Sequence, residues 1–146
     1  MDRDPSKTTP FERVCYRANE TLALCEGYFI HRIAFDIIEG NDALEILLRH
    51  SPHKPDITIS LEGIHHLSID KFPESSGSFL DKVSVVHLPA PPAPWPDEFA
   101  TLRRQPGLPE LAWIQLIGPT QIEIIASIVT VFTALSDDAA RAKPTP

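Results

Sequence analysis

Cysteine is scarce in this chain: Cys15 and Cys25 are the only two, too few for a disulfide framework. They form no Cys-x-x-Cys pair, and no His-Glu-x-x-His run is present, so the common zinc signatures are missing. The six glycines are scattered, which excludes a glycine-rich phosphate cradle. No Gly-x-Ser-x-Gly elbow marks a nucleophilic serine. The longest apolar region, Glu110 to Leu135, is interrupted at Gly118-Pro119 and is too short on either side to span a membrane. The opening MDRDPSKTTP has no apolar core of the signal-peptide kind, so a cytoplasmic protein with reduced thiols is expected. Basic residues are also in deficit. Thirteen Lys and Arg stand against 20 Asp and Glu, giving a formal net charge of -7. Phosphate backbones would be repelled, so the partner expected is not nucleic acid; a basic protein suits this charge better.

What the chain does have is alternation. Glu110 to Leu135 reads as two strands flanking a Gly118-Pro119-Thr120 turn, the central hairpin of a β-rich core. Its second run is apolar on both parities, the pattern of a strand covered on both faces. Before it, Thr9-Pro10-Phe11-Glu12 matches a capping box: Thr9 as N-cap, proline at the first helical position, Glu12 reaching back. Phe11, Val14, Cys15, Ala18 and Leu22 continue at helical spacing, predicting a helix from about Pro10 to Leu24 that Gly27 stops. From Tyr28 the period changes to two. Phe29, His31, Ile33, Phe35 and Ile37 share one face, and Glu39-Gly40-Asn41-Asp42 makes a hairpin turn of the longer kind. Leu44, Ile46 and Leu48 form the return strand.

Asp56 to Asp70 holds one phase across Gly63, with Ile57, Ile59, Leu61, Gly63, His65, Leu67 and Ile69 on one parity. One long strand bent at Gly63 is the expectation. A turn at Pro73 to Ser78 leads to a strand at Lys82 to Leu88, with Val83, Val85 and His87 on one side. Pro89 to Pro96 carries too many of the 15 prolines to join a sheet, and reads as extended polyproline II. Asp97 to Arg104 suits one short helix, acidic at its start and basic at its end.

The six histidines do not assemble into a metal signature. His50 and His53 fall on a loop, and the adjacent His65 and His66 point to opposite faces of a regular strand. Cys15 or Cys25 could be drawn beside a histidine, but such a pair is assembled in space and not in sequence. No catalytic, cofactor-binding or metal-ligating residue is therefore assigned. Trp95, set in the proline run, is either an anchor for a partner or a plug on the sheet.

The stretches PDITISLEGIHHLSI and IGPTQIEIIASIVTVF, preceded by the hairpin YFIHRIAFDIIEGNDALEILL, resemble the small β-rich proteins of bacterial toxin–immunity loci, of the immunity-50 type. The resemblance spans roughly Tyr28 to Phe132 and rests on apolar alternation; it transfers no site residues.

The fold expected is α+β and mainly β: one N-terminal helix packed on a curved, mostly antiparallel sheet of about six strands. Residues 1–146 read as a single domain, with disordered tails at 1–8 and 137–146. The function expected is non-enzymatic binding, in the concrete case an immunity protein masking a basic toxin. Glu39, Asp42, Glu45, Trp95, Asp97 and Glu98 are the candidate partner contacts, with no nucleic acid and no membrane involved. The alternative is a small-molecule or enzymatic pocket inside the curved sheet, near Gly63 and His65.

Overall fold

The computed structural model describes residues 8–38, 41–70, 79–90, 93, 95 and 107–134. Helix α1 (Pro10–Leu22) begins where the capping signal places it: Thr9 has extended backbone angles, and its hydroxyl accepts the Glu12 N–H at 3.1 Å. The helix ends two residues earlier than its periodicity suggests, in a 3-10 turn at Ala23–Cys25. Gly27 follows with φ +85 and donates its N–H to Leu80 O at 2.9 Å.

Six strands follow: β1 (Phe29–Ile38), β2 (Asn41–Arg49), β3 (Asp56–Ile69), β4 (Lys82–Leu88), β5 (Leu111–Ile117) and β6 (Ile122–Ala134). They form one antiparallel sheet in the order β1-β2-β3-β6-β5-β4. Two three-stranded meanders are thus joined where the two longest strands, β3 and β6, pair. The architecture is the α+β, mainly β one expected. The β1–β2 pairing runs to Ile38 and Asn41, so the connection is tighter than the four-residue Glu39–Asp42 turn.

Both edges of the sheet are managed, as exposed ladder groups demand. On β4 the Val85 N–H is taken by Asn19 Oδ1 of α1 at 2.9 Å. At one corner the opposite edges meet: Leu80 N–H donates to Tyr28 O at 2.7 Å, and Phe29 bridges Phe79. Helix α1 buries Cys15, Ala18 and Leu22 in the concavity, while Val14 stays 40% exposed. The core is a single cluster built from Leu44, Ile46, Leu48, Ile57, Ile59 and Leu61 on one meander and Val83, Val85, Ile114, Leu116, Ile122 and Ile124 on the other. Each such side chain contributes about 1.5–3 kcal/mol on burial.

Three irregularities overturn simple parity. In β1 the register shifts between Ile30 and Arg32, so His31 is a bulge and Ile30, not His31, joins the core with Ile33. In β3 the expected single phase does not hold. The strand is continuous, but Gly63 adopts φ +65 and the inward positions pass from Leu61 to Ile64. A second register shift between Ile64 and His66 leaves His65 exposed. β6 follows the same change opposite Gly63, its inward residues passing from Ile122, Ile124 and Ala126 to Val129 and Val131. This switch explains why β6 is apolar on both parities. Only Ile125 is buried on the far face, and Ile128 and Phe132 are 49% and 54% exposed, so the strand is not covered on both faces throughout.

The far face carries a second, smaller cluster of Leu88, Leu111, Trp113 and Ile125. Among the described residues no helix is long and apolar enough to cross a membrane. The expected turn at 73–78, the helix at 97–104 and the tail at 137–146 lie outside the described residues.

Candidate functional site

Of the candidate partner contacts, Glu39, Asp97 and Glu98 lie outside the described residues. Asp42 and Glu45 are both on β2, but not together. Asp42 pairs with Ile37 on the face that carries the core, and Glu45 pairs with Ala34 on the reverse. Trp95 packs against the Leu88–Leu111–Trp113–Ile125 cluster, and its indole N–H donates to Pro89 O at 2.8 Å. Of its two readings the plug describes this position.

Sequence reading missed the apolar side chains at the hairpin end. Phe35 pairs with the buried Leu44, yet is 45% exposed, and Ile37 is 71% exposed. Both follow the core-facing row outward past the end of the core. Asp42 stands beside them, with Asp36 and Glu45 on the reverse face. Alternation alone predicted burial here; the distance of the hairpin end from the core decides otherwise.

Two polar clusters were also not visible in the sequence. The first joins the start of α1 to β4 and to the residue before β5. His87 Nε2 lies 2.9 Å from Glu110 Oε1, and its Nδ1 lies 3.7 Å from Glu12 Oε1. The Tyr16 hydroxyl donates to Glu12 Oε2 at 2.8 Å, and the Thr9 hydroxyl to Glu110 Oε1. The side chains of His87 and Glu12 are 5% and 1% exposed, so no substrate reaches them as they stand. Burial first, then the charges of Glu110 and Glu12, pushes the neighbouring Cys15 thiol up to about 12. Cys25, also buried, is likewise pushed up to about 12. A thiol held neutral is a poor nucleophile.

The second cluster borders an open cleft of about 180 Å3 where β1 meets the β2–β3 loop, lined by Phe29, His31, Arg49, His50, Pro52 and Asp56. Arg49 Nε donates to Asp56 Oδ2 at 3.0 Å, and its Nη1 lies 3.1 Å from His31 Nε2. His50 Nδ1 and Asp56 Oδ1 are buried with no hydrogen-bond partner among the described residues. A shallower groove of about 360 Å3 separates α1 from β6, between Val14, Arg17 and Thr21 on one side and Val129 and Val131 on the other. Neither uses Gly63 or His65. A Cβ on Gly63 would meet Ser127, and His65 is on the exposed bulge. No group of three or more His, Cys, Asp or Glu among the described residues is placed to hold a metal ion.

No protein-family model matches the sequence, and no curated protein is significantly similar to it.

Proposed function

We propose that this is a non-enzymatic binding protein that masks a protein partner, in the concrete case the immunity protein of a bacterial toxin locus, acting in the cytoplasm. One observation carries the reading: the β1–β2 hairpin presents Phe35 and Ile37, 45% and 71% exposed, with Asp42 beside them and Asp36 and Glu45 on the reverse face of the same hairpin. Apolar side chains exposed together on a monomer's surface mark interaction sites. Acids around them speed encounter with a basic partner and disfavour acidic ones. The burial of both thiols and of His87 argues the same way, since the nucleophile and base candidates are out of reach.

The test is co-expression with the product of the adjacent gene. Masking predicts that the pair co-purifies as a stoichiometric complex and that host growth is protected. A neighbouring product that is neither toxic nor bound counts against it.

A second reading is favoured by the Arg49–Asp56 cleft, whose unpartnered His50 Nδ1 and Asp56 Oδ1 are what a small polar ligand would engage after a modest opening. Thermal stabilisation by a metabolite, lost in Arg49→Ala, would replace masking with this pocket.

A further inference from the structure

The reverse face of the hairpin continues across four strands. Directly paired residues of antiparallel strands share a face, so the register defines three rows there. Asp36, Ala43, Glu62 and Ile128 form the first; Ala34, Glu45, Ser60 and Thr130 the second; Arg32, Leu47, Thr58 and Phe132 the third. Ile128 and Phe132 are 49% and 54% exposed, and Asp36, Glu45 and Glu62 are all exposed. On the other half of the same face Trp95 packs against the Leu88–Leu111–Trp113–Ile125 cluster; this half has no such cover among the described residues.

Charge selects the occupant. Three carboxylates face one guanidinium, Arg32, because Arg49 in the next row is engaged by Asp56. Two copies of this face would set Asp36, Glu45 and Glu62 against each other, so self-association is disfavoured. Anionic lipid and nucleic acid meet the same repulsion. An outer sheet face with Phe132 and Ile128 as apolar points between acids suits a protein surface of opposite design.

We propose that the outer face of β1, β2, β3 and β6 docks a basic protein partner, whose apolar centre seats on Phe132 and Ile128 while its lysines or arginines engage Asp36, Glu45 and Glu62. This rests on the masking reading and adds to the hairpin end, whose Phe35 and Ile37 lie on the core-side face, a second contact surface on the reverse of the same strands. Buried aromatic anchors ringed by charge are the usual division of labour at such interfaces: the anchors hold, and the charges steer.

The experiment is a titration of isotope-labelled protein with a short peptide of alternating lysine and leucine, and with its glutamate–leucine counterpart as control. The cationic peptide is expected to shift the amides of Thr58, Ser60, Glu62, Thr130 and Phe132. Its affinity should fall roughly tenfold or more in Glu45→Lys/Glu62→Lys and in Phe132→Ser. Shifts confined to β4 and β5, equal binding of the anionic peptide, or a dimer abolished by Phe132→Ser would overturn the assignment. The two proposals fail separately. If the adjacent gene product binds but Glu45→Lys/Glu62→Lys leaves its affinity unchanged, this face is wrong and masking stands. If the peptide engages the face while no toxin is neutralised, masking is wrong and the face stands.

Discussion

Gly63 and Ser127 face each other across β3 and β6 so closely that a Cβ on the glycine would sit 2.0 Å from the serine hydroxyl oxygen. The same hydroxyl reaches Glu62 O at 3.4 Å, and Gly63 holds φ +65. This contact marks the point where both strands change the parity that faces the core. The meander on each side of it presents its apolar row to the same cluster.

Gly63→Ala should therefore lower stability by about 1–3 kcal/mol, from left-handed strain at a residue with a Cβ and from the contact of that Cβ with Ser127 Oγ. Ser127→Gly in the same chain relieves the contact but not the backbone angle, so it should restore only part of the loss. Urea midpoints of the single and double variants check this; an unchanged midpoint in Gly63→Ala would sink the account.

Removing His87 leaves the Glu12 and Glu110 carboxylates facing each other without it, Glu12 being almost wholly buried. Breaking a buried charged or hydrogen-bonded set in this way costs about 3–5 kcal/mol. His87→Ala should show that loss in urea, and the triple replacement of Glu12, His87 and Glu110 by apolar residues should show much less.

The two thiols give a pH dependence. Both are pushed from 9.0 up to about 12 in the folded chain, chiefly by burial. The unfolded chain loses these protons first, so the stability they contribute is fully present below pH 9 and is lost as the pH rises toward 12. Unfolding midpoints measured from pH 8 to 11 should fall, and Cys15→Ala/Cys25→Ala should flatten the slope. At pH 8 the native thiols should react with a disulfide reagent only after denaturant is added.

Zinc at a few equivalents should leave the melting temperature unchanged, because the histidines are dispersed over β1, β3, β4 and the β2–β3 loop. A stoichiometric rise that disappears in His65→Ala would contradict this.

Under the masking proposal, Asp42→Lys/Glu45→Lys should slow association with a basic partner and flatten its salt dependence. Trp95→Ala should act differently from a rim charge. Trp95 packs against the Leu88–Leu111–Trp113–Ile125 cluster, so the expected loss is about 1–3 kcal/mol of stability. A Trp95→Ala chain of unchanged stability but faster dissociation would restore Trp95 as an anchor.

Much of this was present in local pattern. The Thr9 cap, the helix period, the strand periods and the turn at Gly118 each depend on residues within a few positions of one another. Element type, approximate bounds and the mainly β class follow from that alone. Where the pattern misled, an extra residue had been inserted into a ladder. The bulge at His31 turns Ile30 rather than His31 to the core, and the turn of phase at Gly63 puts Ile64 inward until the bulge at His65 returns Leu67 and Ile69 to the original phase; nothing in a single strand marks these points.

Sequence by itself determined that a capped helix precedes six strands, that the chain is acidic and that its thiols form no framework. Tertiary structure alone decided that β6 returns between β3 and β5, and that Ile37 and Phe132 end up in water despite their alternation. It also drew Glu12, His87 and Glu110 into one buried set, with Thr9 and Glu110 touching across 101 positions. The reason is that period and capping are short-range backbone preferences, whereas burial is set by which distant strand supplies the opposite wall.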